Sequence, residues 1–439
     1  MDQMNFSHHF DEKNLGDNIA IDNSHTGVMM NRVRNVSPMP EENGKKYDNP
    51  TVEEALHYPI LILKVSGFYF ENFRWTKLVL ARILFDVLVM AMALANVIRI
   101  IAGFMTNSDF SDKLMGRIVF AVANISDIVM YPVLIINTTR NLPRVLAKFS
   151  VFQAENGFAT NVRKLKRRIT GISIFTVILS IYSLASSNIV SSSRIFDESG
   201  VLVSRLLPFR YTDGYVYDLV SAIDSFTVTI LSFSMFLQLV IVFVLSYLII
   251  QEFHDVTKTA DTIKQQTEVT ESEVRNLRWR HFQVTELLQT ANSIIQPNVL
   301  LLYIIMLPSI CLTVYGVVYS TLGLFDVMIL ASLLFTNTIA VCLITATGAI
   351  INSKAHSVLQ SLLELSVKSL STDAKYQLQM FITQVTSQTI GINIYGMFIM
   401  DGSTFLMIAG TLITYIVVVL QIQAGSCDVT NVRNCNCTT

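Results

Sequence analysis

Charge is scarce in this chain, with 15% Asp, Glu, Lys and Arg against 51% hydrophobic residues over 439 positions. That composition, with its positive mean hydropathy, excludes an ordinary soluble domain and points to burial in lipid. Histidine is also sparse. All seven (His8, His9, His25, His57, His254, His281, His356) fall outside the apolar stretches set out below, which disfavours a His-dependent hydrolase or a metal site within the bilayer. There is no nucleotide-binding glycine loop, no zinc-ligand spacing, no internal repeat and no convergent nucleophile and base. An enzyme is therefore not expected, nor a cofactor, a metal or a nucleic-acid partner. The first 58 residues hold no apolar run able to act as a signal peptide, and their mixture of His, Asn, Ser and acidic residues is that of a disordered tail.

What the chain does have is seven long apolar runs: Leu78 to Ala102, Gly116 to Thr138, Ile169 to Val190, Ala222 to Gln251, Val299 to Leu322, Val327 to Ile351 and Ser403 to Gly425. About 20 apolar residues match a hydrocarbon core roughly 30 Å thick, where only a helix satisfies its own backbone. The expected fold class is all-α, a polytopic membrane protein with seven transmembrane helices. Loops rich in Lys and Arg stay on the cytoplasmic side. Sixteen basic residues lie in the loops after spans two, four and six, among them Arg163, Lys164, Lys166, Arg167 and Arg168, against five in the opposite loops and C-terminal tail. The N-terminus is thus expected inside and the C-terminus outside. A receptor coupled to G proteins has the reverse orientation, and its acidic-Arg-aromatic and Asn-Pro-x-x-Tyr motifs are absent. Cys311 and Cys342 sit inside spans as packing residues, while Cys427, Cys435 and Cys437 lie in the outer tail, where a disulfide is permitted but its pairing is open.

The helical pattern of span four does not stop at the membrane, since Phe253, Val256, Ala260 and Ile263 continue its apolar stripe. Thr270 to Glu273 reads as a turn closed by a capping box. From there Val274, Leu277, His281, Val284, Leu288, Ala291 and Ile295 follow a heptad, the pattern by which helices pack knobs into holes. Spans four and five are expected to extend as an antiparallel hairpin, with Val284, Leu288, Ala291 and Ile295 on an assembly surface and Pro297 bending the second arm. The bland alternative is a set of solvated helix extensions. Ser371 to Ile392 forms a further amphipathic helix, and Gly391 and Gly396 bracket a break before span seven.

Polar groups inside a span are costly unless paired or facing water. Arg82 and Asp86, one turn apart, are expected to neutralise each other. Asp127, with Asn124 and Ser126 nearby, needs a partner from elsewhere. Asn96, Arg99, Tyr182, Asn188, Asp224, Thr229, Tyr315, Tyr319, Thr336 and Asn337 cluster in the outer halves of spans one and three to six. Collectively they suit an outward-facing small-molecule cavity between helices; singly, each is as well explained by an interhelical hydrogen bond. The strongest ligand candidates are Asn124, Asp127, Tyr182, Asn188, Tyr315, Tyr319 and Asn337. On span seven Gly410, Thr414, Val417 and Gln421 share one face of an otherwise aliphatic rod. Gln421 either faces a water-filled axis shared by several copies, with Ile422 gating by dewetting, or bonds a neighbouring helix.

Thr414-Tyr415, five hydrophobic residues and then Gln421 resemble the C-terminal signature of insect gustatory receptors, and Tyr395 to Asp401 resembles that family's lead into its last helix. The family pattern ends in Gln-Phe, so Ile422 here makes the plug aliphatic. The resemblance implies a ligand-gated, non-selective cation channel at the plasma membrane, a homotetramer with each seventh span at a central pore. It implies a gate at Gln421 and Ile422, with Val418, Val417, Tyr415 and Thr414 deeper along the pore. The only tryptophans, Trp75 and Trp279, fall on the expected cytoplasmic side, away from where an indole would stack on a sugar. The expected tastant is therefore a bitter or other weakly polar plant compound, with a sugar or polyol, or an olfactory-type subunit, as alternatives. The expected organisation is a tail (1–58), helices one to four (59–251), a hairpin anchor (252–298), helices five and six (299–351), further anchor helices (352–400), the pore helix (401–425) and an outer tail (426–439).

Overall fold

Among the described residues the apolar runs fold as helices, and three of them run far beyond their apolar cores. In the computed structural model these elements are α1 His57–Val65, α2 Lys77–Thr106, a π-helical turn Asn137–Asn141 leading into α3 Leu142–Asn156, α4 Tyr215–Gln265, α5 Glu271–Tyr319, α6 Leu324–Ser366, α7 Thr372–Ser387, the two-stranded hairpin β1 Asn393–Ile394 and β2 Phe398–Ile399, and α8 Gly402–Val432. The described residues are 56–65, 77–106, 128–158, 164–171, 173–175, 214–319 and 324–432, with positions 122, 125, 178 and 181, and all belong to one unit, residues 49–439. Four stretches among them are long and apolar enough to cross a membrane: Val79–Arg99, Asp218–Gln265, Glu271–Val318 and Leu334–Ser366, with Gly402–Val418 a shorter fifth. Most of Gly116 to Thr138 and of Ile169 to Val190 lies outside the described residues. The chain is an all-α polytopic membrane protein.

Helices α4, α5 and α6 contain 51, 49 and 43 residues. At about 1.5 Å per residue each is roughly 65–75 Å long, twice a hydrocarbon core. Half of each must project into water, and there they form a bundle. α4 and α5 form an antiparallel hairpin, and α4 and α6 descend side by side in register. Thr257 Oγ1 meets Ser357 Oγ at 2.8 Å, Ser361 donates to Asp261 at 2.6 Å and Lys264 to Glu364 at 2.8 Å, each pair separated by 100 residues. A constant offset along two helices requires them to run parallel. The turn between α4 and α5 is the expected capping box: Thr270 N donates to Glu273 Oε2 at 2.9 Å while Glu273 N donates to Thr270 Oγ1 at 3.4 Å. These bonds, the backbone N–H first, hold the Glu273 carboxyl below its usual range. Lys368 closes the other helix end by donating to the backbone carbonyls of Lys264 and Gln266.

The heptad of α5 is the core of this bundle. Val284, Leu288, Ala291 and Ile295 are all buried within the single chain, against Phe253, Val256 and Ala260 of α4, Ala355, Val358 and Leu362 of α6, and Leu378 and Phe381 of α7. The expectation that these four side chains present an assembly surface is corrected here. They have no surface left to offer a second subunit, because α6 and α7, distant in sequence, fill the same groove. His281, the one polar heptad position, lies between the rings of Phe253 and Phe381, 5.5 and 5.3 Å away, and its Nε2 bonds Ala355 O at 3.1 Å.

Pro297 does not end α5, which continues through it and Pro308. A proline has no N–H for the carbonyl four residues back, here Ser293 O. Asn141 Nδ2 supplies the missing donor at 3.2 Å, and also reaches Asn137 Oδ1 at 3.0 Å. Asn137 in turn donates to Asn298 at 3.1 Å. The π-helical turn Asn137–Asn141 delivers both asparagines to this break in the ladder.

Candidate functional site

Helix α7, capped by Ser371 Oγ accepting from Ala374 N at 3.3 Å, is followed by the expected break. It takes the form of a hairpin in which Asn393 pairs with Ile399 and Ile394 with Phe398. Its turn needs positive φ at both central residues, and Tyr395 (48°) and Gly396 (78°) supply it. The hairpin segment lies hard against α6, where a Cβ on Gly348 would meet Met400 Cβ at 2.6 Å, and is itself tightly closed, since a Cβ on Gly391 would meet Ile399 Cγ2 at 2.7 Å. A side chain at either position would clash with these atoms. Glycine is what allows the approach.

Asp401 then starts α8. Its Oδ1 accepts from Ser403 Oγ at 2.7 Å and from Thr404 N at 2.9 Å, while Asp401 N donates to Thr404 Oγ1 at 3.3 Å. These bonds, the serine hydroxyl foremost, hold the Asp401 carboxyl below its usual range. A cavity of 620 Å³ opens beside this cap, lined among others by Asn393, Phe398, Asp401, Thr404 and Met407. The helix direction is thus set by a cap on one side and a glycine-docked hairpin on the other.

Beyond the cap α8 is covered on only part of its surface, by α5 and α6. Gly410, Thr414, Val417 and Gln421, the small and polar stripe, are all exposed, as is Val418. Thr414 satisfies its own hydroxyl by donating to Gly410 O at 2.8 Å. Tyr415 is half-buried, within electrostatic range of Cys311 and Tyr315 on α5. The side chain of Ile422 lies outside the described residues. Among the described residues the stripe is left uncovered; Leu406 and Ile413, 72% and 62% exposed, show that the aliphatic faces are uncovered too.

Of the ligand candidates, Asn124, Asp127, Tyr182 and Asn188 lie outside the described residues, as does the side chain of Tyr319. Asn337 is buried and donates to Ser309 Oγ at 3.3 Å, joining α6 to α5. Tyr315 is half-buried on α5. Two of the polar span residues pair with each other: Arg99 on α2 reaches Asp224 on α4 at 3.1 Å, with side chains 9% and 0% exposed. Asn96, also on α2, is buried. The expected Arg82–Asp86 contact is present at 3.3 Å, and Tyr131 Oη adds a bond to Asp86 at 2.8 Å. Sequence reading named Arg99 and Asp224 but not their pairing. The Asn141 contact to Ser293 was missed, although a proline inside a helix signals that an outside donor is needed.

The chain matches the model of the 7tm chemosensory receptor family over residues 65–424. No curated protein sequence matches it. Among solved structures it resembles the insect olfactory receptor OR5 from Machilis hrabei in complex with eugenol, with TM-score 0.62 and 16% identity over 84% of this chain and 98% of that one. The structure of the same receptor without that description of a complex matches with TM-score 0.58 and 15% identity, over 84% and 100% of the two chains. At such identity these likenesses speak for the fold alone, while the family match covers most of the chain. The long helices that leave the bilayer, the hairpin break and the closing helix are therefore those of a multi-pass receptor and not of an enzyme, and the chain belongs to the 7tm chemosensory receptor family.

Proposed function

We propose that the chain is a gustatory receptor that acts as a tastant-gated, non-selective cation channel in the plasma membrane. Four copies surround a central pore, with the N-terminus and the projecting bundle in the cytoplasm. The observation that carries this reading is the uncovered stripe Gly410, Thr414, Val417 and Gln421 on α8. Lipid is a poor environment for an amide; a wet axis between symmetry mates accepts it. Gln421 and Ile422 form the gate, with Val418, Val417, Tyr415 and Thr414 below it. The bundle of residues 252–298 and 352–400 anchors the assembly, its shape maintained from within by Val284, Leu288, Ala291 and Ile295.

Ligand occupies the outer half of the membrane helices, with Asn124, Asp127, Tyr182, Asn188, Tyr315, Tyr319 and Asn337 as its polar contacts. The nearness of Tyr315 to Tyr415 supports a short route from that pocket to the pore helix. A ligand opens the pore only to the extent that it binds the open arrangement better. The preferred tastant is a bitter or other weakly polar plant compound. A second reading is an olfactory-type channel subunit, since the fold is shared with an insect olfactory receptor.

The test is ligand-evoked current in cells expressing only this chain, over sugar, alkaloid and odorant panels, with and without Gln421→Ala. Current without a second subunit, altered in permeation or gating by the substitution, is the expected result. Unchanged conductance and ligand response in Gln421→Ala removes Gln421 from the conduction path. Current with a simple sugar alone overturns the ligand preference, and a need for a co-receptor favours the olfactory reading.

A further inference from the structure

The described helical residues 164–171, 173–175, 178 and 181 separate two kinds of side chain onto two faces. Leu165, Ile169 and Ser173 are buried against the rest of the chain. The opposite face carries Lys164, Arg167, Arg168, Gly171, Ile174, Phe175, Ile178 and Ile181, all exposed and spaced by threes and fours as one helical stripe. Its first turns are cationic and its later turns apolar, with Ile174, Phe175, Ile178 and Ile181 between 55% and 60% exposed. The sequence around it holds no Asp or Glu between Glu155 and Asp197. Arg168 is also positioned: it donates to Tyr247 Oη on α4, and its guanidinium lies 5.7 Å from the Tyr247 ring centroid. Between the two halves of the stripe, a Cβ on Gly171 would meet nothing within 4 Å.

We propose that this face binds an anionic phospholipid, its phosphorylated headgroup at Arg167 and Arg168 and its acyl chains along Ile174, Phe175, Ile178 and Ile181. A general excess of Lys and Arg in cytoplasmic loops accounts for the sign of these residues but not for their register above a lipid-facing apolar stripe. Guanidinium groups recognise phosphate oxygens in bidentate fashion. Basic clusters immediately cytoplasmic of a membrane helix attract the anionic lipids of that leaflet. The open space at Gly171 lets the glycerol region of the lipid reach the helix backbone between headgroup and tails. The proposal uses the orientation argued above and is independent of the tastant and of the pore.

The full-length protein in neutral detergent is titrated with dioctanoyl phosphatidylinositol bisphosphate, dioctanoyl phosphatidylcholine and free inositol trisphosphate, and binding is read by native mass spectrometry. The expected order is saturable binding of the anionic lipid, far weaker binding of the soluble headgroup and none of the neutral lipid. In Arg167→Gln/Arg168→Gln, affinity for the anionic lipid falls by about 25-fold, at roughly fivefold per removed charge. Equal binding of phosphatidylcholine, or undiminished affinity in the double variant, overturns the proposal. Inositol trisphosphate bound as tightly as the lipid overturns it as well, since the apolar half of the stripe then contributes nothing. A subunit contact covering the face excludes the lipid and gives no saturable binding, which is also a refutation. If the double variant does not yield folded protein, Gly171→Phe decides, because it alters no charge and its Cβ meets nothing within 4 Å: at least fivefold weaker binding supports the site and unchanged binding refutes it.

Discussion

The core of the projecting bundle and the closing helix α8 carry the same kinds of apolar side chain and end in opposite environments. In the bundle, α4, α5, α6 and α7 enclose one another, so Val284, Ala291, Ile295 and Phe381 have no accessible surface. On α8 side chains of the same kind, such as Leu406 and Ile413, stay mostly uncovered. The bundle is stabilised by water's exclusion of its core. No such force acts between apolar side chains and lipid tails, so α8 is held to its own chain mainly at its start, by the Asp401 cap and the hairpin docked at Gly348 and closed at Gly391. A rigid platform thus carries a rod whose surface is left for lipid or for other copies of the chain.

The contrast is broken most sharply by Phe381→Ala in the bundle, which is expected to cost about 3–5 kcal/mol. The melting temperature of the detergent-solubilised protein and its elution profile read that loss, and a wild-type-like melt shows that the bundle is not the stability centre. Gly348→Ala comes next. Its methyl group meets Met400 Cβ, and overpacking of this sort costs about 1–3 kcal/mol; it moves the hairpin and with it the origin of α8, so ligand-evoked current declines along with the melting temperature. Asp401→Ala removes the cap at about 1 kcal/mol, and a larger effect on activation than on melting is expected because the cap directs α8 alone.

A smaller effect comes from pH. Burial pushes the His281 pKa below its ordinary value, with the Ala355 carbonyl opposing and His356 reinforcing the shift. The unfolded chain then binds a proton more readily than the folded one. Stability is complete above the unfolded value of about 6.5 and declines as pH falls through and below it, since ∂ΔG/∂pH is positive wherever the unfolded state holds more protons. Melting curves of the wild type and His281→Gln between neutral and mildly acid pH should converge towards the acid side; parallel curves exclude His281 as the source. At the bottom of the scale, Ile413→Ala on α8 should shift the melting temperature of dispersed single chains within error, about 0.5 kcal/mol or less. A core-sized loss there means that α8 is covered after all.

Much of the fold was legible because it depends on local periodicity. The capping box Thr270 to Glu273, the amphipathic helix that starts beside Ser371, the break bracketed by Gly391 and Gly396 and the neutralised Arg82 and Asp86 all involve residues close in sequence, and each is present, although that helix ends at Ser387 and not at Ile392. The heptad of α5 was legible as a packing surface but not in its destination. A stripe of Val, Leu, Ala and Ile does not say whether the groove it needs comes from another subunit or from α6 and α7 of the same chain. Of the ligand candidates only Tyr315 and Asn337 have described side chains, and the Asn337 bond to Ser309 joins two helices.

By itself the amino-acid sequence determined that this chain lives in a membrane, where its helices run, which loops are basic and that its last apolar helix carries a polar stripe. These are properties of composition and of spacing along one strand of backbone. Only the tertiary structure decided that Arg99 meets Asp224, that Asn141 supplies the donor Pro297 lacks at Ser293, and that the heptad closes on its own chain. A polar or charged group in a low-dielectric interior must find a partner, but any helix brought alongside can provide one, and which helix that is depends on the packing of the whole.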